Sequence, residues 1–338
     1  MIESDFLSSN RNLTGIEKLS NIYHNVILDT QTSIVYDENF NLIEECLYEV
    51  LYWGANIPGK WFKVIPGHVL NCSEKLNEEI DKRKNVILNE LEEQRKRDDF
   101  NVVHLENRRY FFALHPTGWY PYGHLHDSLN RLFTWKKFDK TESDRLLVSQ
   151  INKVNDFDLH CAAYGFSSNS ILECRKLGRF IGIPTLYYGV NPSFYTSFTP
   201  ECYSWVRSGY SKVFNNGSNE ESPCKLYLDR NHVKGGARGV RNNDEVKDFL
   251  KGKGFKIVTG SESLSEIYTL FSNAELIVGV HGSLFVNTIF ANDTCRIIEY
   301  CPANRPDFSF QNKYKNAIDY THFLGKMRIS PRYEIIAA

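Results

Sequence analysis

The chain has 338 residues, 42% of them hydrophobic, enough to bury a sizeable core and a length that suits two domains of ordinary size. Its 40 Lys and Arg nearly balance 41 Asp and Glu, for a formal net charge of -1, which excludes a global basic field of the kind that holds nucleic acid or an anionic membrane. Charged partners are therefore met locally.

The N-terminal stretch MIESDFLSSNRNLTG has no basic start followed by an apolar run, and no window approaches the length of a membrane-spanning helix, so a cytoplasmic protein is expected. The alternative, a lumenal fragment of a secretory-pathway enzyme, rests on sequons at Asn12, Asn71, Asn216 and Asn292. Cys46, Cys72, Cys161, Cys174, Cys202, Cys224, Cys295 and Cys301 form no CxxC and no zinc-type Cys/His spacing, and read as buried free thiols.

In chain order, NVILDT and WFKVIPG are short apolar runs. EKLNEEIDKRKNVILNELEEQRKRDD spaces Ile80, Val86, Ile87 and Leu91 at helical intervals among alternating charges and predicts a solvated amphipathic helix. NVVHLENRRYFFALH predicts two strands, and a Gly/Pro/Tyr turn opens a helix at YGHLHDSLNRLF. DFDLHCAAYG predicts a strand, and NSILECRKLGRFIGIPTLYYG a helix followed by a strand. The polar stretch NNGSNEESPC is the expected linker, dividing residues 1–215 from a domain over 225–302, with a tail over 303–338.

Beyond the linker the pattern becomes regular. KLYLDR, FKIVTG, ELIVGV and CRIIEYCP predict strands, and NNDEVKDFLKGKG, SLSEIYTLFSNA and SLFVNTIFA the helices that alternate with them. This alternation is the mark of a parallel, doubly wound α/β sheet, whose ligands bind beyond the carboxyl ends of the strands. Three strand ends deliver polar residues to that rim: Arg230, His281-Gly282-Ser283 and Glu299. Gly282 is expected to turn the backbone sharply and admit a ligand, the helix N-terminus after it suits a phosphate, His281 can donate to a phosphate oxygen, and Glu299 can accept from ribose hydroxyls. Lys234, Arg238 and Arg241 lie along the Gly-rich loop NHVKGGARGVRNN, where they can close over a diphosphate or simply be solvated.

The motifs LYLDR, RGVRNNDEV, ELIVGVHGSLFVN and RIIEYCP, in that order, resemble those of glycosyltransferase family 61. Ser283-Leu284 stands where the family has Ala-Gly, and Asn243 where it has Glu; YGHLHDSLNRLF is similar to the family's Tyr/His/Trp helix. The resemblance implies a GT-B architecture, two Rossmann-like domains facing across a cleft, with the tail packing back toward the first domain. It also implies a nucleotide-sugar site formed by Arg230, Arg238, Asn242, His281, Gly282, Asn287 and Glu299, to which the reading of the residues adds Lys234 on the loop and Ser283 at the helix start. The implied reaction is inverting transfer of a pentose such as xylose, or of a HexNAc, from a UDP-sugar to a glycan or glycoconjugate hydroxyl. Such a transfer needs a general base. Asp127 is the expected base, with His124 and His126 as alternatives and a helix-capping role for Asp127 as the structural reading. No metal or other cofactor is expected, although Asp156-Phe157-Asp158 forms a DxD that a strand would place on one face. A nucleotide- or glycan-binding protein without turnover and a sugar-nucleotide epimerase stay open as alternatives.

Overall fold

The computed structural model describes residues 21–47, 56–57, 60–61, 73–115, 122, 125–151, 154–189, 199–214, 223–230, 240, 242–302, 310, 314 and 318–325. The chain divides into two compact units: Met1–Pro121, Asp127–Cys161 and Gly165–Tyr195 make the first, and Tyr122–His126, Ala162–Tyr164 and Thr196–Ala338 the second. The second unit thus begins ahead of the linker-like stretch and takes in two short segments from earlier in the chain. Among the described residues no helix is long and apolar enough to cross a membrane.

The first unit is built on β1 (Asn21–Asp29), β2 (Ile34–Tyr36), β5 (Val102–His104), β6 (Arg109–Ala113), β7 (Arg145–Val148), β8 (Ile171–Glu173) and β9 (Phe180–Tyr188), with a separate two-stranded pair, β3 (Asn56–Ile57) and β4 (Lys60–Trp61). The main sheet runs β2-β1-β9-β6-β7-β8, and β5 also pairs with β9. β5 to β9 pair in parallel, whereas β1 is antiparallel to both β2 and β9. One face of the sheet buries Leu28, Val35, Phe112, Leu147 and Ile181. The other receives Ile87 and Leu91 from α1 (Ser73–Arg95), so the charged helix seen in the sequence exists and its apolar edge is core.

Two expectations fail here for physical reasons. DFDLHCAA is not a strand but α3 (Phe157–Ala163). Phe157, His160, Cys161 and Tyr164, at intervals of three and four residues, are the buried set, so the helical period prevails over the alternation of the two aspartates. NSILECRKLG forms no α-helix; it gives a 3-10 turn, β8 and a second 3-10 turn at Cys174–Lys176, and the chain passes Gly178 at φ 145° before β9.

The second unit carries β10 (Cys224–Leu228), β11 (Phe255–Val258), β12 (Ala274–Val280), β13 (Arg296–Pro302) and β14 (Asp319–Gly325), all parallel, in the order β11-β10-β12-β13-β14. Between them lie α5 (Asn243–Gly252) and α6 (Leu264–Ser272), the latter opened by a capping box of Ser263 and Glu266. α4 (Pro200–Val213), capped by Thr199, belongs to this unit as well. The α/β alternation is as the sequence predicts, with two corrections. SLFVNTIF winds as a 3-10 helix over Ser283–Phe290, and residues 319–325 of the tail are β14, a strand of the C-terminal sheet, so the expectation of a tail packed on the first domain does not hold for them.

Candidate active site

The strand order of the second unit is the flavodoxin-like one, in which the chain steps from its first strand to one side and then returns to the other. The point of reversal lies between β10 and β12, and the carboxyl ends of these two strands carry Arg230 and His281. They meet there: Arg230 donates from Nη1 to the His281 carbonyl oxygen at 2.9 Å. Gly282 has an extended backbone (φ 177°, ψ 170°), so no sharp turn requires its glycine. The Arg230 guanidinium lies against it: a Cβ at 282 would stand 1.8 Å from Arg230 Nη1, so a side chain there displaces the guanidinium. The glycine therefore seats a guanidinium, a correction to its expected role in turning the chain.

β10 ends in a buried polar anchor. Tyr227 donates to Asn243 Oδ1 at 3.2 Å and Asn243 Nδ2 donates to Asp229 Oδ1 at 3.1 Å, while Lys247 lies 3.6 Å from Asp229. Asn243 thus ties the strand end to the first turn of α5. Asn242 stands one residue earlier at the N-cap, its side chain toward Glu245 at 3.4 Å.

Behind His281 lies a second buried cluster. His281 Nδ1 is 2.7 Å from Glu299 Oε1, Tyr320 donates to Glu299 Oε2 at 2.9 Å, and His322 Nε2 stands 3.8 Å from the same oxygen. Glu299 is 0% exposed, and both its oxygens are engaged inside the protein. It is a residue that holds His281, and the expectation that it accepts from ribose hydroxyls is revised on that ground. Tyr320 and His322 come from β14, which the sequence reading lacks. Ser283 is exposed at the head of the 3-10 helix, and Leu284 packs on Gly260. Asn287 is buried; it accepts from Tyr122 at 2.8 Å, and among the described residues its Nδ2 meets no hydrogen-bond partner. Burial pushes the Tyr122 phenol up to about 12.

The sequence profile of the glycosyltransferase 61 family matches residues 122–298, which is 177 of 338 and more than half of the chain. The chain belongs to the glycosyltransferase 61 family. No curated protein matches it in sequence. The match in this family 61 chain begins at Tyr122, the partner of Asn287, and stops one residue short of Glu299.

α2 (Leu125–Leu129), at the start of the family 61 match, contributes residues to both units. In the second unit His126 lies in an aromatic cluster with Tyr164, Tyr210 and Phe290, its Nδ1 2.9 Å from the Tyr164 hydroxyl. That is the setting of a core histidine. In the first unit Asp127 is buried, and Ser128 donates to the Leu114 carbonyl at 3.2 Å. Arg131, fully inside, donates to the Gly189 carbonyl at 3.1 Å and lies over the rings of Phe112 and Tyr188. Leu129, Arg131 and Leu132, three of the residues that resemble the family's helix motif, are thus packing residues. His124, Lys234, Arg238 and Arg241 lie outside the described residues. Asp156 and Asp158 are exposed around the start of α3, the first at φ 54°, and do not share a strand face. Among the described residues no three His, Cys, Asp or Glu side chains cluster as metal ligands.

Proposed function

We propose that this chain moves a sugar, a pentose such as xylose or a HexNAc, from a UDP-linked donor to a hydroxyl of a glycan or glycoconjugate, with inversion at the anomeric carbon. The reaction runs in a GT-B arrangement and without a divalent ion. The observation that supports the reading is the meeting of Arg230 and His281 at the reversal point of an all-parallel sheet, inside the span matched to a glycosyltransferase family. At such a rim a nucleotide diphosphate is the expected ligand.

As the bond from the anomeric carbon to the diphosphate oxygen breaks, negative charge grows on the departing UDP. Arg230, His281 and the loop cations Lys234 and Arg238 offset it, and side-chain cations in that role replace a metal ion. Asp127 takes the proton of the acceptor hydroxyl as that oxygen attacks from the opposite face. A single displacement of this kind inverts the configuration.

The test is transfer measured on the wild type and on Asp127→Asn, with and without EDTA, alongside UDP titration. Asp127→Asn keeps shape and much of the hydrogen-bonding capacity, so melting temperature and UDP affinity hold while transfer falls by roughly the 10²–10⁴ that general-base catalysis contributes. Undiminished transfer removes Asp127 from the chemistry and leaves the structural role of a buried residue in the first turn of α2. Activity lost in EDTA and restored by manganese transfers the diphosphate contact to Asp156 and Asp158. A protein that binds no UDP at all is not the proposed enzyme.

A further inference from the structure

The carboxylate of Glu299 has two neighbours in the sheet, one on each side of its function. His281 approaches Oε1 at 2.7 Å from the end of β12, and Tyr320 donates to Oε2 at 2.9 Å from β14. The register places Glu299 opposite His322 on β14 and opposite Gly279 on β12, so the carboxylate sits in the sheet between the two strands whose side chains it binds. A carboxylate accepts hydrogen bonds, so the contact at Oε1 favours the His281 tautomer that carries its proton on Nδ1. The phenol at Oε2 removes the freedom of the carboxylate to rotate away. His322, with a side chain 2% exposed and Nε2 3.8 Å from Oε2, is placed as a competing partner for that oxygen. Tyr320 and His322 lie beyond residue 298, where the family match ends.

We propose that Tyr320 is a positioning residue that acts through Glu299 on His281. The pair holds the imidazole with Nδ1 protonated toward Glu299 and sets how the ring faces at the end of β12. That this orientation serves donor binding rests on the function proposed above; the orientation itself does not. A histidine held in this way keeps one tautomer through the reaction cycle, the service that outer-shell carboxylates provide to functional histidines generally. Tyr320 touches no reacting atom in this account.

The experiment is nitrogen NMR on the full chain labelled with 15N-histidine, the His281 signals being assigned by their absence from His281→Gln. The wild type is expected to show His281 protonated at Nδ1. In Tyr320→Phe the ring keeps its neighbours Phe285 and Tyr314, Oε2 loses its donor, and the His281 signals move toward a mixture of tautomers. Transfer by the same variant is expected to lose roughly tenfold in kcat with little change in donor KM, the order that one hydrogen bond to a charged group supplies. A wild-type His281 protonated at Nε2 with Nδ1 bare, or a Tyr320→Phe spectrum identical to wild type, overturns the proposal. Should Tyr320→Phe not fold, Glu299→Gln is read in its place, and the wild-type tautomer decides without any variant. UDP titration keeps the two ideas apart, because a wild type blind to UDP defeats the function proposed above and leaves the tautomer result standing.

Discussion

His126 and His281 are both buried, and each places Nδ1 against an oxygen, at 2.9 Å from the Tyr164 phenol and 2.7 Å from the Glu299 carboxylate. Their surroundings divide them. Around His126 stand the rings of Tyr164, Tyr210 and Phe290, and its imidazole is one more packing element there. His281 stands at the reversal point of a parallel sheet, with a guanidinium bonded to its carbonyl and a carboxylate behind its ring. Burial alone does not make a histidine a candidate for function; the carboxylate that faces it and the strand end that carries it do.

The largest expected effect tests the His281 side of this contrast. Arg230→Ala leaves the His281–Glu299 pair in place but removes the cation from the strand rim. Turnover is expected to fall by about a hundredfold or more, the order of losing one donor that stabilises a departing anion, while melting temperature changes little. If turnover survives, the rim is not the donor site and the two histidines are alike in being structural.

A smaller effect tests the other side. His126→Leu removes the imidazole that meets the Tyr164 hydroxyl at 2.9 Å inside an aromatic cluster, at a cost of about 1–3 kcal/mol. The thermal midpoint should drop by a few degrees, and turnover per folded molecule should stay within about twofold. A variant of full stability and collapsed turnover would place His126 in the chemistry and erase the distinction.

Much of this was legible in the sequence, and the misses have physical causes. The second unit from β10 to β13 reads directly, because short apolar runs alternate with helical segments, one of them opened by the capping box of Ser263 and Glu266. The span from LYLDR to RIIEYCP was likewise recognisable by motif, and the family match covers most of it. β14 was missed because DYTHFLG mixes acidic, hydroxyl and apolar residues, and only pairing with β13 makes it a strand. Tyr320 and His322 went with it. Glu299 was noticed as a polar residue at a strand end, but a sequence does not say that the carboxylate is fully buried and already bonded within the sheet. The sharp turn expected at Gly282 is absent, since the backbone there is extended and nothing in HGS announces that a guanidinium fifty-two residues upstream lies against it. The same limit applies to α3, where two periods compete in eight residues and the packing decides.

A third buried histidine, His160, sharpens the contrast through pH. It sits on the inward face of α3 with Phe157, Cys161 and Tyr164, and burial pushes its proton affinity down to about 3. The unfolded chain takes up that proton near the ordinary value of about 6.5. Between those values the unfolded state holds a proton that the folded state refuses, so the contribution of His160 to stability is complete above the ordinary value and is lost as pH falls toward about 3. The loss amounts to about 1.4 kcal/mol for each unit of pH within that window. His160→Gln carries no titrating ring, and His126 and His281 are present in both proteins, so the difference between the two stability profiles isolates this residue. Chemical denaturation at pH 7, 6 and 5 is expected to show the wild type losing stability relative to the variant as pH falls, with the gap opening only below about 6.5. Parallel profiles would mean that the proton enters the folded protein as readily as the unfolded chain, and His160 would then have to be faced by a negative charge, as His281 is.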